Sequence, residues 1–252
     1  MENIKIYKIK SRPCYEAIKK IFDIICATFG ILGTSPFWLF AIIGIELSDP
    51  GPVFYMAHRI GKDNREFLMY KFRSMRVDRK ANEKEFKADT NRIFKFGALI
   101  RRLKIDELPQ LLNILKGDMS IVGPRPASID QVEIVRAGKN EVASYVKPGL
   151  TGPSALYDYI YGDTIEDEAE YEKKVLPTRL DLDVYYVHRR TILFDLQMIW
   201  WTVVCIYHSL MKKDSAHILR ILIRWSEENR RIAIKKRTKI RDGFIPETGF
   251  KR

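Results

Sequence analysis

The chain has 252 residues, of which 44 are Lys or Arg and 32 are Asp or Glu, giving a formal net charge of +12. With 46% hydrophobic and 12% aromatic residues, it has the composition of a folded protein of one or two domains, which excludes a disordered or low-complexity chain. Three cysteines, Cys14, Cys26 and Cys205, share no C-x-x-C spacing, which excludes a disulfide framework and a thiolate zinc site. A reducing compartment fits this cysteine usage best.

An apolar segment covers residues 21–47 and carries only two charged side chains, Asp23 and Glu46. It exceeds the roughly 20 residues that a helix needs to cross a bilayer. Ser35-Pro36 lies near its middle, and because proline removes a backbone donor we expect a sharp bend there. A cleaved signal peptide is excluded, because no small-residue cleavage site follows. A kinked span and a re-entrant helix remain, and composition alone favours the kinked span because re-entrant segments are rare.

Two short runs after this segment, VFYM (53–56) and FLMYKFRSM (67–75), have the composition of β-strands. Residues 61–64 lie between them and have the composition of a turn. In an extended second run, Lys71 and Arg73 project from the same face, because side chains alternate along a strand. On this pattern alone, a solvated basic face is the more common explanation of the pair.

Four further segments have recognisable patterns. Residues 78–89 are polar and predict a surface loop or a short helix. Residues 94–103 place apolar side chains at helical spacing between basic ones, which predicts a helix on a membrane surface or an amphipathic core helix. Residues 163–172 contain six acids and no base and predict an acidic surface loop. Residues 192–207 are apolar but short for a span, so we predict an interfacial or buried helix.

Residues 105–117 predict a helix that begins near Asp106, has Pro109 in its first turn and ends at Gly117. A capping role alone would therefore explain Asp106. The run SIVGPRP that follows is incompatible with a helix, and Arg125 lies between its two prolines on a stiff, extended support. The four histidines have no metal-ligand spacing, and neither a Gly-rich phosphate loop nor a Ser-His-Asp order is present in the sequence.

Five motifs occur in one order along the chain: Ser35-Pro36, KFRSM (71–75), DELPQLLNILKGDMSIVGPRP (106–126), KPGLTG (147–152) and LDVYYV (182–187). This series resembles the bacterial sugar transferases, the monotopic phosphoglycosyl transferases that start the assembly of membrane glycoconjugates. The resemblance extends over roughly residues 10–207, and several separate motifs in order are far more specific than one short pattern.

The resemblance implies a mostly helical α/β fold with a re-entrant membrane helix and a small catalytic body, carrying amphipathic interfacial helices, at the cytoplasmic face. We expect residues 1–50 to hold the membrane helix, bent at Ser35-Pro36, and residues 51–211 to form the catalytic domain. Residues 212–252 would be a basic tail without a family counterpart. We also expect this protein to lack the large N-terminal multi-span domain of some members.

The resemblance also implies an activity: transfer of a sugar-1-phosphate from a UDP-sugar to polyprenol (undecaprenyl) phosphate through a phospho-aspartyl intermediate, with release of UMP. Asp106 would be the nucleophile, with Glu107 as its partner in Mg²⁺ binding or proton handling. The matching positions near the phosphates are Lys71, Arg73 and Arg125, and a recurrent acid matches Asp183. Mg²⁺ takes only one or two carboxylates beside water and phosphate oxygens, so either acid of the pair would suffice to hold it.

Two departures from the family pattern bear on the sugar. PSALYD follows KPGLTG at residues 153–158, where members often have a Trp-Gln or Ala-Gln stretch and an Asn-Gly or Ser-Gly-Arg turn. HRRT stands at residues 188–191, where an Asn-Trp-Ser run is common. These differences lie in the regions on which we expect sugar specificity to depend.

The charge distribution bears on location. Residues 212–252 alone carry 13 Lys and Arg against five Asp and Glu, which suits a solvated tail, a nucleic-acid arm or a patch on anionic lipid. Arg12, Lys19 and Lys20 place the front of the apolar segment in the cytoplasm. Nucleotide sugars are cytoplasmic too, so we expect both termini there, at the cytoplasmic face of the bacterial inner membrane.

A second class of function competes with the enzyme. A basic peripheral protein could bind anionic lipid or nucleic acid without catalysis, and its affinity would then fall steeply with salt. Asp106-Glu107 and the Pro-Arg-Pro run at Arg125 argue against it, so we expect anionic lipids but no nucleic acid among the partners.

Overall fold

The computed structural model describes residues 11–77 and 90–241, and the polar segment predicted at 78–89 lies outside them. The fold is mostly helical. Its nine described helices are α1 (Pro13–Ser48), α2 (Lys95–Arg102), α3 (Gln110–Lys116), α4 (Val132–Val135), α5 (Pro153–Ile160), α6 (Glu168–Lys174), α7 (Leu176–Arg189), α8 (Ile192–Leu210) and α9 (Ala216–Arg241). The described strands are β1 (Phe54–Ile60), β2 (Glu66–Phe72), β3 (Ser120–Val122), β4 (Ala127–Ser128) and β5 (Gly149–Thr151).

The strands form two small sheets. β1 is the central strand of an antiparallel sheet of order β2-β1-β4, with Phe54 opposite Phe72, whereas β3 and β5 pair in parallel. The predicted turn between the first two runs is confirmed. Asp63 and Asn64 adopt left-handed φ angles of 55° and 57° there, a conformation that Asp and Asn tolerate better than most residues.

α1 is one helix of 36 residues that includes Pro36, so the predicted break does not end the helix. Proline cannot donate to the carbonyl of Leu32 four residues earlier. The hydroxyl of Ser35 donates to that carbonyl instead, at 2.8 Å. Ser35 thus satisfies the backbone group that the proline leaves without its helical partner, which helps to explain why the helix continues.

Both halves of α1 pack against the rest of the protein. In the first half, Asp23 accepts a hydrogen bond from the backbone N–H of Ile121 at 3.0 Å. In the second half, Gly44 lies directly against the ring of Phe96 in α2, where an added Cβ would come within 2.0 Å of the ring. Only four of the 36 residues of α1 are nevertheless buried, and exposed side chains such as Phe29 form an apolar outer surface that suits lipid.

α8 has the length and composition to cross a membrane, as does α1. One side of α8 is buried at Asp195, and the opposite side exposes Leu193 and Trp200. The helix predicted at residues 192–207 is confirmed, but with 19 residues it is long enough to cross a bilayer, so the argument from its shortness was wrong and its interfacial or buried placement stays a prediction. Whether a membrane covers the exposed side stays a prediction.

A buried polar network joins α1, α7 and α8. Asp195 is fully buried and accepts hydrogen bonds from Tyr15 at 2.8 Å and from the ammonium of Lys19 at 2.9 Å. The hydroxyl of Tyr186 lies 2.8 Å from the same carboxylate and 2.9 Å from the carbonyl of Val122 in β3. Since a buried carboxylate is tolerated only when it is paired, these contacts fix the start of α1 on the body.

Two segments differ from their predictions. The acidic run at residues 163–172 is not a simple loop, because it enters α6, where Asp167 caps the helix by accepting from the N–H of Glu170 at 2.7 Å. The basic tail begins with α9, which packs on α7. There Trp225 stacks on Tyr185 with ring centroids 5.2 Å apart. A helix with this apolar side is more ordered than the solvated tail that charge alone suggested.

Candidate active site

A cavity of about 110 Å³ lies between β1, β2, the loop after β3, and helices α5 and α7. We call it the cationic cavity, because four cations from separate elements line it against a single carboxylate. The residues that line it are Arg59, Met69, Lys71, Glu107, Gln110, Arg125, Pro126, Ser128, Gln131, Gly149, Leu150, Ala155 and Arg179. The fold therefore brings together Lys71, Glu107 and Arg125, three of the residues predicted from the sequence.

Glu107 lies between two lysines. The ammonium of Lys71, near the end of β2, is 3.3 Å from its carboxylate, and that of Lys104 is 4.0 Å away. Lys104 adopts a left-handed φ of 57°, which is uncommon for a residue with a side chain and turns the chain into the 3₁₀ turn Ile105–Glu107. The strained residue thus directly precedes the turn that carries both predicted catalytic carboxylates.

The prediction of a helix with Asp106 at or near its N-cap and Pro109 in its first turn was wrong, because α3 begins only at Gln110. A 3₁₀ turn intervenes before α3, whose N-cap position is occupied by Pro109, and no side chain caps either element. The end of α3 is confirmed, because Gly117 terminates it with a left-handed φ of 88°. Asp106 is 5% exposed, and its Oδ1 atom has no hydrogen-bond partner within the described residues. A buried carboxylate oxygen without a partner costs folding energy, which suggests that it is kept for a ligand.

The two adjacent carboxylates have very different acidities. Burial, followed by the charge of Glu107, raises the pKa of Asp106 to about 6. Burial alone would also raise the pKa of Glu107, but Lys104, Lys71 and Arg125 outweigh it and lower that pKa to about 2. Above pH 6 both groups are ionised, and Asp106 is then the more basic of the two.

This difference gives a stability prediction. Because the folded-state pKa of Asp106 lies above its ordinary value of 3.8, ionising it above pH 6 costs folding energy. Asp106→Asn removes that cost, so we expect it to raise the free energy of unfolding at pH 8 by on the order of 1–3 kcal/mol. The gain should shrink as the pH falls from about 6 to 4, where wild-type Asp106 becomes protonated in both states. Thermal unfolding at several pH values measures it.

Asp181→Asn is the matched control. Asp181 is buried in α7, pairs with Lys139 and Arg230, and does not line the cationic cavity. Its replacement leaves two cations without their carboxylate, so this variant should lose stability at pH 8. Equal losses in both variants would contradict the idea that the fold bears a cost for an ionised Asp106.

Arg125 is held from behind at its backbone. Asp183 in α7 accepts the N–H of Arg125 at 3.2 Å and the hydroxyl of Ser154 at 2.5 Å. Burial raises the pKa of Asp183 to about 6. Asp183 thus supports the Pro-Arg-Pro loop, and it is not among the residues that line the cavity. The loop also requires a glycine opposite it, because a Cβ at Gly149 would come within 2.0 Å of the backbone nitrogen of Gly123.

The structure separates Arg73 from Lys71. The guanidinium of Arg73 pairs with the carboxylate of Asp49 just after α1, its Nε donates to the carbonyl of Pro52 at 2.5 Å, and it lies 5.6 Å above the ring of Phe94. These contacts direct Arg73 to the end of α1, and it does not line the cationic cavity. Ser35 and Pro36, in the middle of α1, do not line the cavity either.

Sequence reasoning missed three residues that lie in or behind the cavity. Arg59 and Arg179 line it, and Asp158 lies directly behind Arg125, with its carboxylate 3.5 Å from the Nε atom. No local sequence pattern identified these residues. Their segments lie far apart in the sequence, and only the packing of β1, α5 and α7 brings them together. Gln110, which also lines the cavity, belongs to the quoted DELPQ motif and could have been included.

The residues suit Mg²⁺ better than a transition metal. Within residues 11–77 and 90–241, no group of three or more His, Cys, Asp or Glu side chains is arranged to hold a metal ion. Asp106 and Glu107 offer only carboxylate oxygens, one of them unpartnered, which is the donor type that Mg²⁺ shares with phosphate groups. A cation at this pair would therefore need ligands from a bound phosphate and water.

The chain is similar in sequence to proteins of one known family. The family model for bacterial sugar transferases matches residues 14–209. A UDP-N-acetylgalactosamine-undecaprenyl-phosphate N-acetylgalactosaminephosphotransferase of Aeromonas hydrophila is 34% identical over 197 residues, which are 76% of this chain and 44% of the relative. A UDP-glucose:undecaprenyl-phosphate glucose-1-phosphate transferase of Xanthomonas campestris pv. campestris is 36% identical over 190 residues, 74% of this chain and 38% of that protein.

A shorter relative matches over most of its own length. The uncharacterized sugar transferase EpsL of Bacillus subtilis (strain 168) is 39% identical over 186 residues, which are 74% of this chain and 85% of EpsL. In contrast, the chain spans less than half the length of the Aeromonas and Xanthomonas proteins. The family match covers α1 to α8 and all five motifs, whereas α9 lies beyond it. On this evidence the chain belongs to the bacterial sugar transferase family.

Proposed function

We propose that the protein is a phosphoglycosyl transferase that moves a sugar-1-phosphate from a UDP-sugar to polyprenol (undecaprenyl) phosphate and releases UMP. The observation that carries this proposal is the buried, unpartnered carboxylate oxygen of Asp106, a residue that does not itself line the cationic cavity but directly precedes Glu107, which does. A diphosphate needs several cations around it, and a nucleophile must stand at its edge. The Aeromonas and Xanthomonas relatives are named for transfers of this kind.

The reaction would take place in two displacements at one phosphorus atom. In the first, Oδ1 of Asp106 attacks the sugar-linked phosphorus, the bond from that phosphorus to the bridging oxygen breaks, and UMP leaves with the electron pair. In the second, a phosphate oxygen of polyprenol phosphate attacks the same phosphorus and expels the Asp106 carboxylate. The products are UMP and a polyprenol diphosphate sugar, and Asp106 returns to its ionised form.

The cations of the cavity would stabilise charge in both steps. Lys71 and Arg125 approach from opposite elements, β2 and the Pro-Arg-Pro loop, and can neutralise non-bridging oxygens of the diphosphate. Glu107 holds the ammonium of Lys71 at 3.3 Å and so fixes its position. Asp106 and Glu107 are the residues that would hold Mg²⁺, which supplies further charge neutralisation when bound.

The acceptor is a lipid, so the site must lie at a membrane. We propose that the protein is monotopic at the cytoplasmic face of the bacterial inner membrane, with both termini in the cytoplasm and anionic lipids around it. The packing of both halves of α1 on one body supports a chain that returns to the side from which it entered. The exposed apolar surface of α1 would then lie in the hydrocarbon region.

Cysteine accessibility tests this topology. Cys14, exposed at the start of α1, and a Tyr55→Cys variant beyond its end should both be protected from an impermeant thiol reagent added outside intact cells. Pro36→Ala restores the missing backbone donor, so we expect at least partial labelling at position 55 as some chains straighten and span. Labelling of either position in the wild-type background would contradict the monotopic arrangement.

Turnover tests the activity itself. The purified full chain should release UMP from at least one member of a panel of UDP-sugars when polyprenol phosphate and Mg²⁺ are present. The panel should begin with UDP-N-acetylgalactosamine and UDP-glucose, the donors named for the relatives. Tight, salt-sensitive binding of DNA without turnover of any donor would instead favour a basic binding protein.

A further inference from the structure

Asp158, in α5, is a buried carboxylate that the mechanism above does not use. Its side chain is 7% exposed. One oxygen accepts the hydroxyl of Tyr171 at 2.7 Å, and the other lies 3.5 Å from Nε of Arg125 and 3.6 Å from Nη1 of Arg179. Arg179 also donates to the hydroxyl of Tyr171 at 2.8 Å. Three helices, α5, α6 and α7, therefore meet at this carboxylate.

The position of the group relative to the cavity points to a role beyond packing. Arg125 lines the cationic cavity and its side chain is 39% exposed, whereas Asp158 lies behind it and does not line the cavity. The charge of Asp158 contacts Arg125 at Nε, the nitrogen nearest the chain. A carboxylate at Nε does not itself need the two terminal nitrogens, which a ligand in the cavity could then contact.

An arginine without such a support would be a poor phosphate ligand. A free arginine side chain has about 2 kcal/mol of rotamer entropy to lose on binding, and a fixed guanidinium loses less. Asp183 already holds the backbone of Arg125 at 3.2 Å. With Asp158 on the side chain, both ends of the residue are held from behind by buried carboxylates.

We propose that Asp158 is a positioning residue, which orients the guanidinium of Arg125 toward the diphosphate of the nucleotide sugar, with Tyr171 and Arg179 holding Asp158 in place. This inference rests on the proposed function. Arg125 would contact phosphate oxygens directly, whereas Asp158 would act only through Arg125. A carboxylate that merely joins α5 to α7 would have no such dependence.

A double-mutant cycle separates the two roles. The dissociation constant of UDP with Mg²⁺ is measured by calorimetry for the wild type, Asp158→Asn, Arg125→Met and the double variant, all as full chains in lipid nanodiscs. We expect Asp158→Asn to weaken UDP binding about 10-fold, which corresponds to about 1.4 kcal/mol, because the ion pair that orients Arg125 is lost. In the Arg125→Met background the same change should have less than about a 2-fold effect, because the group it acts through is gone.

Asp181→Asn is again the matched control. It removes a buried carboxylate that pairs with two cations, but on the side of α7 that faces α9. It should lower the thermal midpoint as Asp158→Asn does and leave UDP affinity unchanged. Unchanged UDP affinity in Asp158→Asn, or a full 10-fold effect in both backgrounds, would overturn the positioning role while the proposed function stands. Failure of the wild type to bind UDP would overturn both.

Tyr171→Phe repeats the test if Asp158→Asn does not fold. It removes only the hydroxyl that donates to Asp158 and keeps the aromatic ring, so it perturbs the fold less. We expect about a 3-fold weaker affinity for UDP in the wild-type background and no change in the Arg125→Met background. An effect of equal size in both backgrounds, or none in either, would overturn the proposal.

Discussion

Asp106→Asn is expected to abolish sugar-phosphate transfer, with a loss in kcat of about 10⁴-fold or more. An amide is a poor nucleophile, and no other described carboxylate besides Glu107 belongs to the cavity and its adjoining 3₁₀ turn. The substitution should leave UDP affinity within a few fold of the wild type, since the cations that hold the phosphates are untouched. It should also make the protein more stable at pH 8, as argued above, so a loss of activity cannot be ascribed to unfolding.

A covalent step predicts more than loss of turnover. With acceptor withheld, the wild type should release a burst of UMP no larger than the amount of enzyme, and steady-state kinetics should be ping-pong. Mass spectrometry of the quenched enzyme should find a phosphosugar on the peptide that contains Asp106. Asp106→Asn should give neither the burst nor the adduct, whereas Asp181→Asn should give both.

Direct attack by polyprenol phosphate in a ternary complex is the competing mechanism. In that case Asp106 would serve only as a metal ligand, no UMP would appear without acceptor, and no adduct would form. Rapid turnover of the wild type without any adduct on Asp106 would therefore contradict the two-step mechanism. The distinction depends on chemistry at one atom, the unpartnered Oδ1 of Asp106.

Local sequence signals predicted the parts of the fold that depend on neighbours in the chain. The turn at residues 61–64 follows from Gly, Asp and Asn, and the end of α3 follows from Gly117, whose left-handed φ of 88° few other residues adopt at low cost. Lys71, Glu107 and Arg125 were found because they belong to motifs. Three of the five motifs, KFRSM, DELPQLLNILKGDMSIVGPRP and KPGLTG, contribute residues to the lining of one cavity.

The parts of the fold and the site that the sequence did not predict depend on packing between distant segments. Alternation along a strand put Lys71 and Arg73 on one face, but β2 ends at Phe72, so Arg73 follows the geometry of the loop and meets Asp49. Asp158 contacts Arg125 only because α5 packs on α7, which is not visible in the sequence around it. The number of charges in the tail did not predict α9. This helix packs through Trp225, whose aromatic partners Tyr185 and Trp201 lie in the distant helices α7 and α8.

Glu107→Gln tests the electrostatic partnership of the two carboxylates. The negative charge of Glu107 helps to raise the pKa of Asp106 to about 6. Removing it stabilises the ionised form of Asp106, so the acid limb of the kcat/KM profile should move to lower pH. The rate at pH 8 should nevertheless fall by about 100-fold, because Lys71 loses its partner and Asp106 becomes a weaker base. The Mg²⁺ concentration for half-maximal rate should rise as one of two candidate ligands is lost.

Lys104→Met should have the opposite effect to Glu107→Gln on the acid limb of the kcat/KM profile. Lys104 lowers the pKa of Asp106, so its removal should move the acid limb to higher pH. Methionine is unbranched like lysine and one atom shorter, so it leaves the left-handed backbone of residue 104 under similar strain while removing the charge and its contact with the Tyr159 ring 4.8 Å away. Shifts in opposite directions identify Asp106 as the group whose ionisation limits the rate at low pH, because Glu107 and Lys104 act on it with opposite charges. An acid limb that stays in place in both variants would mean that some other group titrates, and Asp106 would then lose its role as the nucleophile that must be ionised to attack.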